Sequence, residues 1–185
     1  SATNETIEYL PARNFDDLCR NLLLHSSVIP SSLSSLMLRR EAFEKVGTFD
    51  PQFSQCADWD FLLRASLRIK LAPIEDFLLR YRTSAVNMSS NIRLLETDTF
   101  AVLEKFYASE HASRYLDIRS RVYSNHWLIL SGSYLHDGQT RNSLRCLAKA
   151  LQSDPRNIRY PLALPGRLIR RARRRISNSV TSRNA

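Results

Sequence analysis

A mixed α/β domain, mostly helical, is the fold class this sequence predicts. Three observations carry that prediction. Apolar residues fill 43% of 185 positions, enough for the core of one domain or of a small domain with an extension. Only four glycines occur, and residues that lose little side-chain freedom in a helix are common. Between Leu33 and Tyr81 the apolar pattern reads strand, helix, turn, helix, strand, an order that suits one half of an α/β layer.

The elements follow in chain order. Residues 1–13 read as extended or loop, with Pro11 as a breaker. Asn14 is placed as the N-cap of a first helix ending at Leu24, with Asp16 and Asp17 in its first turn, where free N–H groups and the helix dipole favour carboxylates. A serine-rich link around Pro30 leads to Leu33–Leu38, which is short and apolar and reads as a buried strand. Arg40–Val46 is a second helix, closed by Gly47 just past its end. Phe49, Pro51 and Phe53 form an apolar turn before a helix over Ala57–Ile69. Ala72–Tyr81, including Phe77 and Leu79, reads as a second strand, and 83–91 as a polar loop.

The remainder is helical. In Ile92–Tyr107, Leu95, Thr99, Val102 and Phe106 share a face. A further helix runs from His111 to about His136 and ends at Asp137-Gly138, and the last, from Thr140 to Gln152, is stopped by Asp154-Pro155. Trp127, Leu130, Tyr134, Gly138, Leu147, Ala150 and Pro155 have a spacing that resembles a single tetratricopeptide helix hairpin, with Ser131 and Ser143 at its small-residue positions. Three segments result: a domain over 1–108, a helical hairpin over 109–155 and a tail over 156–185.

Charge is segregated. The net charge is +9, yet residues 1–154 are formally neutral, because nine arginines and no carboxylates lie from Pro155 onward. An electrostatic partner therefore belongs to the tail. There Leu164, Leu168, Ala172 and Ile176 recur every four residues among arginines, so a helix would carry a thin apolar stripe suited to an anionic membrane surface. A solvated basic end is the plainer reading, and nothing there indicates specific nucleic-acid recognition. Cys19, Cys56 and Cys146 show neither zinc nor redox spacing, which fits a reducing compartment. With no bilayer-length apolar run and no signal peptide at the start, the expected location is cytoplasmic, peripheral at the inner face of a membrane.

The most informative stretch is Val46–Arg82. It holds Gly47-Thr48-Phe49-Asp50, then Asp58-Trp59-Asp60 running to Arg64, then Tyr81-Arg82, with Asn87-Met88-Ser89 beyond. This series resembles the acceptor-side, C-terminal half of a family 2 glycosyltransferase of the GT-A fold, over about residues 15–105. The resemblance implies an inverting transfer of a sugar from a nucleotide-sugar donor to a glycan or lipid-linked acceptor, in polysaccharide or glycoconjugate assembly. It implies Asp58 as the catalytic base, and Trp59, Asp60 and Arg82 as substrate-binding residues: an aromatic platform, a hydroxyl contact and a diphosphate partner. Each has a structural alternative, namely helix capping for Asp58, core packing for Trp59, an i,i+4 pair with Arg64 for Asp60, and a surface role for Arg82.

Two departures from the family pattern matter. Ala57 stands where an acidic residue usually precedes the base, and Ser84 where a histidine usually follows Tyr-Arg. A hydroxyl is a poor substitute for imidazole at a transition metal. The resemblance implies a divalent cation, Mg or Mn, whose ligands lie mostly in a preceding nucleotide-binding half with an Asp-x-Asp motif. No Asp-x-Asp lies upstream of residue 35, so the chain is expected to be a truncated or split transferase. A second function class is a non-catalytic helical module that binds a protein partner through the 121–155 hairpin.

Overall fold

The computed structural model describes residues 17–25, 32–72, 74, 76, 78 and 91–158. These residues are mostly helical: α1 is Leu18–Leu23, α2 Arg40–Val46, α3 Ala57–Arg68, α4 Ile92–Tyr107, α5 Arg119–His136 and α6 Thr140–Ser153. Short 3-10 turns occupy Ser32–Ser35, Glu110–Ile118 and Pro155–Ile158.

Among the described residues there is no strand, and the one expected over Leu33–Leu38 is corrected. Ser32–Ser35 curl into a 3-10 turn, with the Leu36 N–H donating to the Leu33 carbonyl at 3.1 Å. Serine favours such local turns, and an apolar run this short has no intrinsic reason to stay extended without a neighbouring strand. The strand expected over 72–81 and the basic tail lie mostly or wholly outside the described residues. The N-cap of α1 is Asp17, which accepts the Arg20 N–H at 3.0 Å; Asn14 lies outside the described residues.

Most other helix ends fall where local chemistry puts them. Gly47 closes α2 with φ 84°, and its N–H donates to the Phe43 carbonyl at 2.8 Å. A β-carbon there would meet only an ordinary contact with Arg64, so the left-handed backbone, not lack of space, is what favours glycine. Asn91 caps α4 by accepting the Leu94 N–H at 3.1 Å. Gly138, at φ 78°, follows the C-cap Asp137 of α5, and its N–H donates to the Leu135 carbonyl at 3.2 Å.

One apolar core joins α1, α3, α4 and the start of α5, through Leu23, Leu63, Leu103 and Val122. It continues across residue 108, so α5 is packed onto the preceding helices. A second core, with Trp127, Leu130, Tyr134, Cys146 and Ala150, fills the α5–α6 hairpin. Ser131 and Ser143 meet there: the Ser131 hydroxyl donates to the Ser143 carbonyl at 2.9 Å, and small side chains let the helices approach closely. Arg145 clamps Glu96 of α4 through two contacts of 2.9 and 2.6 Å, and the Tyr134 hydroxyl donates to the same carboxylate at 2.8 Å. The hairpin is thereby fastened to α4.

Candidate functional site

The first turn of α3 holds both acids of the Asp58-Trp59-Asp60 series. Two positions apart on a helix is a rotation of about 200°, so the carboxylates face nearly opposite ways. Their environments differ accordingly.

Asp60 points inward and is 3% exposed. One oxygen takes the Arg64 guanidinium, with contacts of 2.9 Å from Nε and 2.8 Å from an Nη; the other lies 2.8 Å from Lys105 Nζ. Arg64 goes on to donate to the carbonyls of Val46 at 2.7 Å and Thr48 at 2.9 Å, on either side of Gly47. Lys105 also reaches Asp50 at 2.8 Å and lies over the Phe53 ring at 5.1 Å. This contact holds the Asp50 carboxyl below its ordinary range, helped by the Gln52 N–H. The Val46 and Thr48 carbonyls, Asp50, Asp60 and Arg64 are thus one ion and hydrogen-bond network, completed by Lys105 from α4. It fixes the 46–50 turn against α3.

Asp58 is half-buried on the other side of the turn, and one of its oxygens accepts the Trp59 N–H at 2.7 Å. That bond orients the carboxylate at the helix start. Trp59 packs against the protein: its indole N–H donates to the Leu22 carbonyl at 3.2 Å, and its ring lies 4.7 Å from that of His126. In this conformation the indole anchors α3 to α1 and α5. Arg82 lies outside the described residues.

Behind Trp59, His126 is buried with Nε2 3.0 Å from the Leu23 carbonyl. A carbonyl can only accept, so Nε2 carries the proton. Burial, and His25 nearby, push the imidazole down to about 4, so it is neutral near pH 7.

The residues just before α3 are held by a carboxylate that the sequence pattern does not mark. Asp98 of α4 is buried, and one of its oxygens accepts the N–H groups of Ser54 at 2.8 Å, Gln55 at 2.6 Å and Cys56 at 3.4 Å. The Gln55 side chain donates to the Asn91 carbonyl at 3.0 Å. No local spacing connects Asp98 to residues 54–56. The available signal was an acid on the apolar face of α4, one position before Thr99.

A cavity of about 420 Å³ opens at the far end of α3, lined in part by Cys19, Ser66, Lys70 and Tyr115. Among the described residues no group of three or more His, Cys, Asp or Glu side chains converges as a cation site. The described residues do not fit a divalent cation on their own.

The family model for glycosyltransferase-like family 2 matches residues 12–126. The match takes in α1 to α4 and the start of α5, more than half of the chain, and the protein belongs to this family. Comparisons with curated proteins and with solved structures return no match.

Proposed function

We propose that the protein supplies the acceptor side of a GT-A glycosyltransferase, with Asp58 as the base of an inverting transfer. The donor is a nucleotide sugar. The acceptor is a hydroxyl of a glycan or lipid-linked glycan in polysaccharide or glycoconjugate assembly. The observation that carries this reading is the division of labour within one helical turn. Asp60 is buried, whereas Asp58 keeps part of its surface exposed at the same helix start. Membership of the family supports glycosyl transfer in general.

In the reaction, a carboxylate oxygen of Asp58 takes the proton of the acceptor hydroxyl as that oxygen attacks the anomeric carbon. The bond from the anomeric carbon to the diphosphate oxygen breaks, and the nucleoside diphosphate leaves with its electron pair. Attack from the face opposite the leaving group inverts the configuration and needs no covalent intermediate. The network around Arg64 and Lys105 keeps the 46–50 turn and the α3 start in place, which is the positional contribution such a reaction requires. Arg82 is assigned to the diphosphate oxygens, and a divalent cation, Mg or Mn, would be held by groups other than the described residues.

The test is the release of nucleoside diphosphate from a panel of UDP-, GDP- and TDP-sugars by the full-length protein. Asp58→Asn is expected to lower turnover by about 100-fold or more with melting unchanged. Wild-type turnover by the variant overturns the assignment. The arginine-rich tail is assigned to an anionic membrane at its cytoplasmic face. Flotation with phosphatidylserine vesicles should be lost on deleting residues 165–185, and retained flotation counts against it.

A further inference from the structure

We infer that Asp98 is a positioning residue for Asp58: its carboxylate fixes the Ser54–Cys56 backbone that delivers the first turn of α3. The inference rests on Asp58 as the proposed base, but it is carried by different contacts. A buried carboxylate that accepts three successive backbone N–H groups on one oxygen is a strong local restraint, since charge-assisted bonds are shorter and stronger than neutral ones. The distances of 2.8 and 2.6 Å to Ser54 and Gln55 fit that description.

These three residues are the last before α3, and Cys56 is its N-cap. The Cys56 side chain makes no capping bond, so the usual local device for fixing a helix start is missing. The Cys56 carbonyl nevertheless accepts the Asp60 N–H at 2.9 Å, the first bond of the helix. The helix start is therefore set from outside, by α4. Thr99 adds a contact from its hydroxyl to Cys56 Sγ at 3.6 Å, and Gln55 reaches the N-cap of α4. Together α4 grips residues 54–56 from the N-cap Asn91 to Thr99, and Asp58 follows two positions later. Without the carboxylate, three N–H groups in a partly buried turn would lose their shared acceptor, and the turn would shift or fray.

Asp60 and Lys105 tie the same helix to α4 two turns beyond Asp98. The two restraints differ in what they fix. The Lys105 network ties side chains and the 46–50 turn, whereas Asp98 sets the backbone leading into the proposed base. Loss of Asp98 should therefore misplace Asp58 while leaving the cores of α1–α4 and of the hairpin formed.

The experiment is amide hydrogen exchange and kinetics on the full-length protein carrying Asp98→Asn, with Asp98→Glu as the conservative variant. The Asn side chain keeps the shape and one acceptor oxygen but not the charge. The amides of Ser54, Gln55 and Cys56 are expected to exchange at least tenfold faster, while those of α5 and α6 keep their wild-type rates. Turnover should fall tenfold or more with the donor KM unchanged, and Asp98→Glu should recover part of both. Unchanged exchange at 54–56, or acceleration spread evenly over all helices, overturns the inference, and so does failure of both variants to fold. Exchange does not depend on turnover. If Asp58→Asn proves fully active, the base reading fails, yet the 54–56 exchange still reports whether Asp98 holds this turn.

Discussion

The α3 start and the α5–α6 hairpin solve different problems with different chemistry. At α3, charges converge: Asp60 and Asp98 are buried, Arg64 and Asp50 are partly buried, and the exposed Lys105 joins Asp50 to Asp60. In the hairpin, the contacts are apolar side chains and three serines, Ser124, Ser131 and Ser143, with one arginine clamp at the edge. Buried ion pairs are poor sources of net stability, because desolvation offsets most of their attraction, while apolar packing stabilises directly. A region that accepts that cost is one where geometry matters more than stability. The contrast teaches that the α3 start is built for position and the hairpin for holding the molecule together.

The comparison can be broken by removing one member of each region. The largest stability loss is expected for Asp60→Ala, which leaves Arg64 with only the Val46 and Thr48 carbonyls and Lys105 with only Asp50. Breaking a buried pair costs about 3–5 kcal/mol; the half-exposed Lys105 and partly exposed Arg64 bring the expectation to about 3. Urea unfolding measures it, and a loss below about 1 kcal/mol would place the network in solvent.

A smaller effect, and a pH-dependent one, is expected from His126, which joins the two regions through Trp59. Its folded pKa is depressed to about 4 from an ordinary 6.5, so the unfolded chain binds more protons between these values. Its contribution is fully present above pH 6.5 and is lost as the pH falls toward 4. The full span corresponds to about 3 kcal/mol as an upper bound, and about half of it should be gone near pH 5. His126→Gln should flatten the stability profile between pH 4 and 6.5, an unchanged slope being the opposite outcome.

In the hairpin, Ala150→Leu forces a large side chain into a fully buried site and should cost about 2 kcal/mol in melting experiments, without touching the exchange of residues 54–56. The smallest effect is Tyr134→Phe. It removes one hydrogen bond to Glu96 and should cost about 1 kcal/mol. Burial, then the Glu96 carboxylate, push the Tyr134 hydroxyl up to about 12, so this bond persists across the neutral range.

How much of this could be read from the sequence depends on the range of the forces involved. Gly47, Asn91 and Gly138 mark helix ends because their effect is local, and α2, α4 and α5 end or begin there. The Asp60–Arg64 pair is one helical turn apart and was equally visible. Lys105 was not, since it lies 45 positions beyond Asp60 and reaches it only through packing of α4. Asp98 escaped notice for the same reason. The expected strand at Leu33–Leu38 failed on a different ground: a short apolar run with serines reads as a buried strand, but serine also favours local turns, and the turn won. Beside Asp58, Trp59 suits either a sugar platform or core packing, and the sequence does not show that its indole N–H donates to the Leu22 carbonyl and its ring lies against His126, both distant along the chain.

The central claim is that the half-buried Asp58 carboxylate takes the acceptor's proton. Turnover of Asp58→Ala in the full-length protein, with and without added formate, tests it most directly. The account predicts near-zero turnover that formate, an exogenous carboxylate able to enter the vacated space, partly restores, with the melting temperature kept. Wild-type turnover in the absence of formate would contradict it.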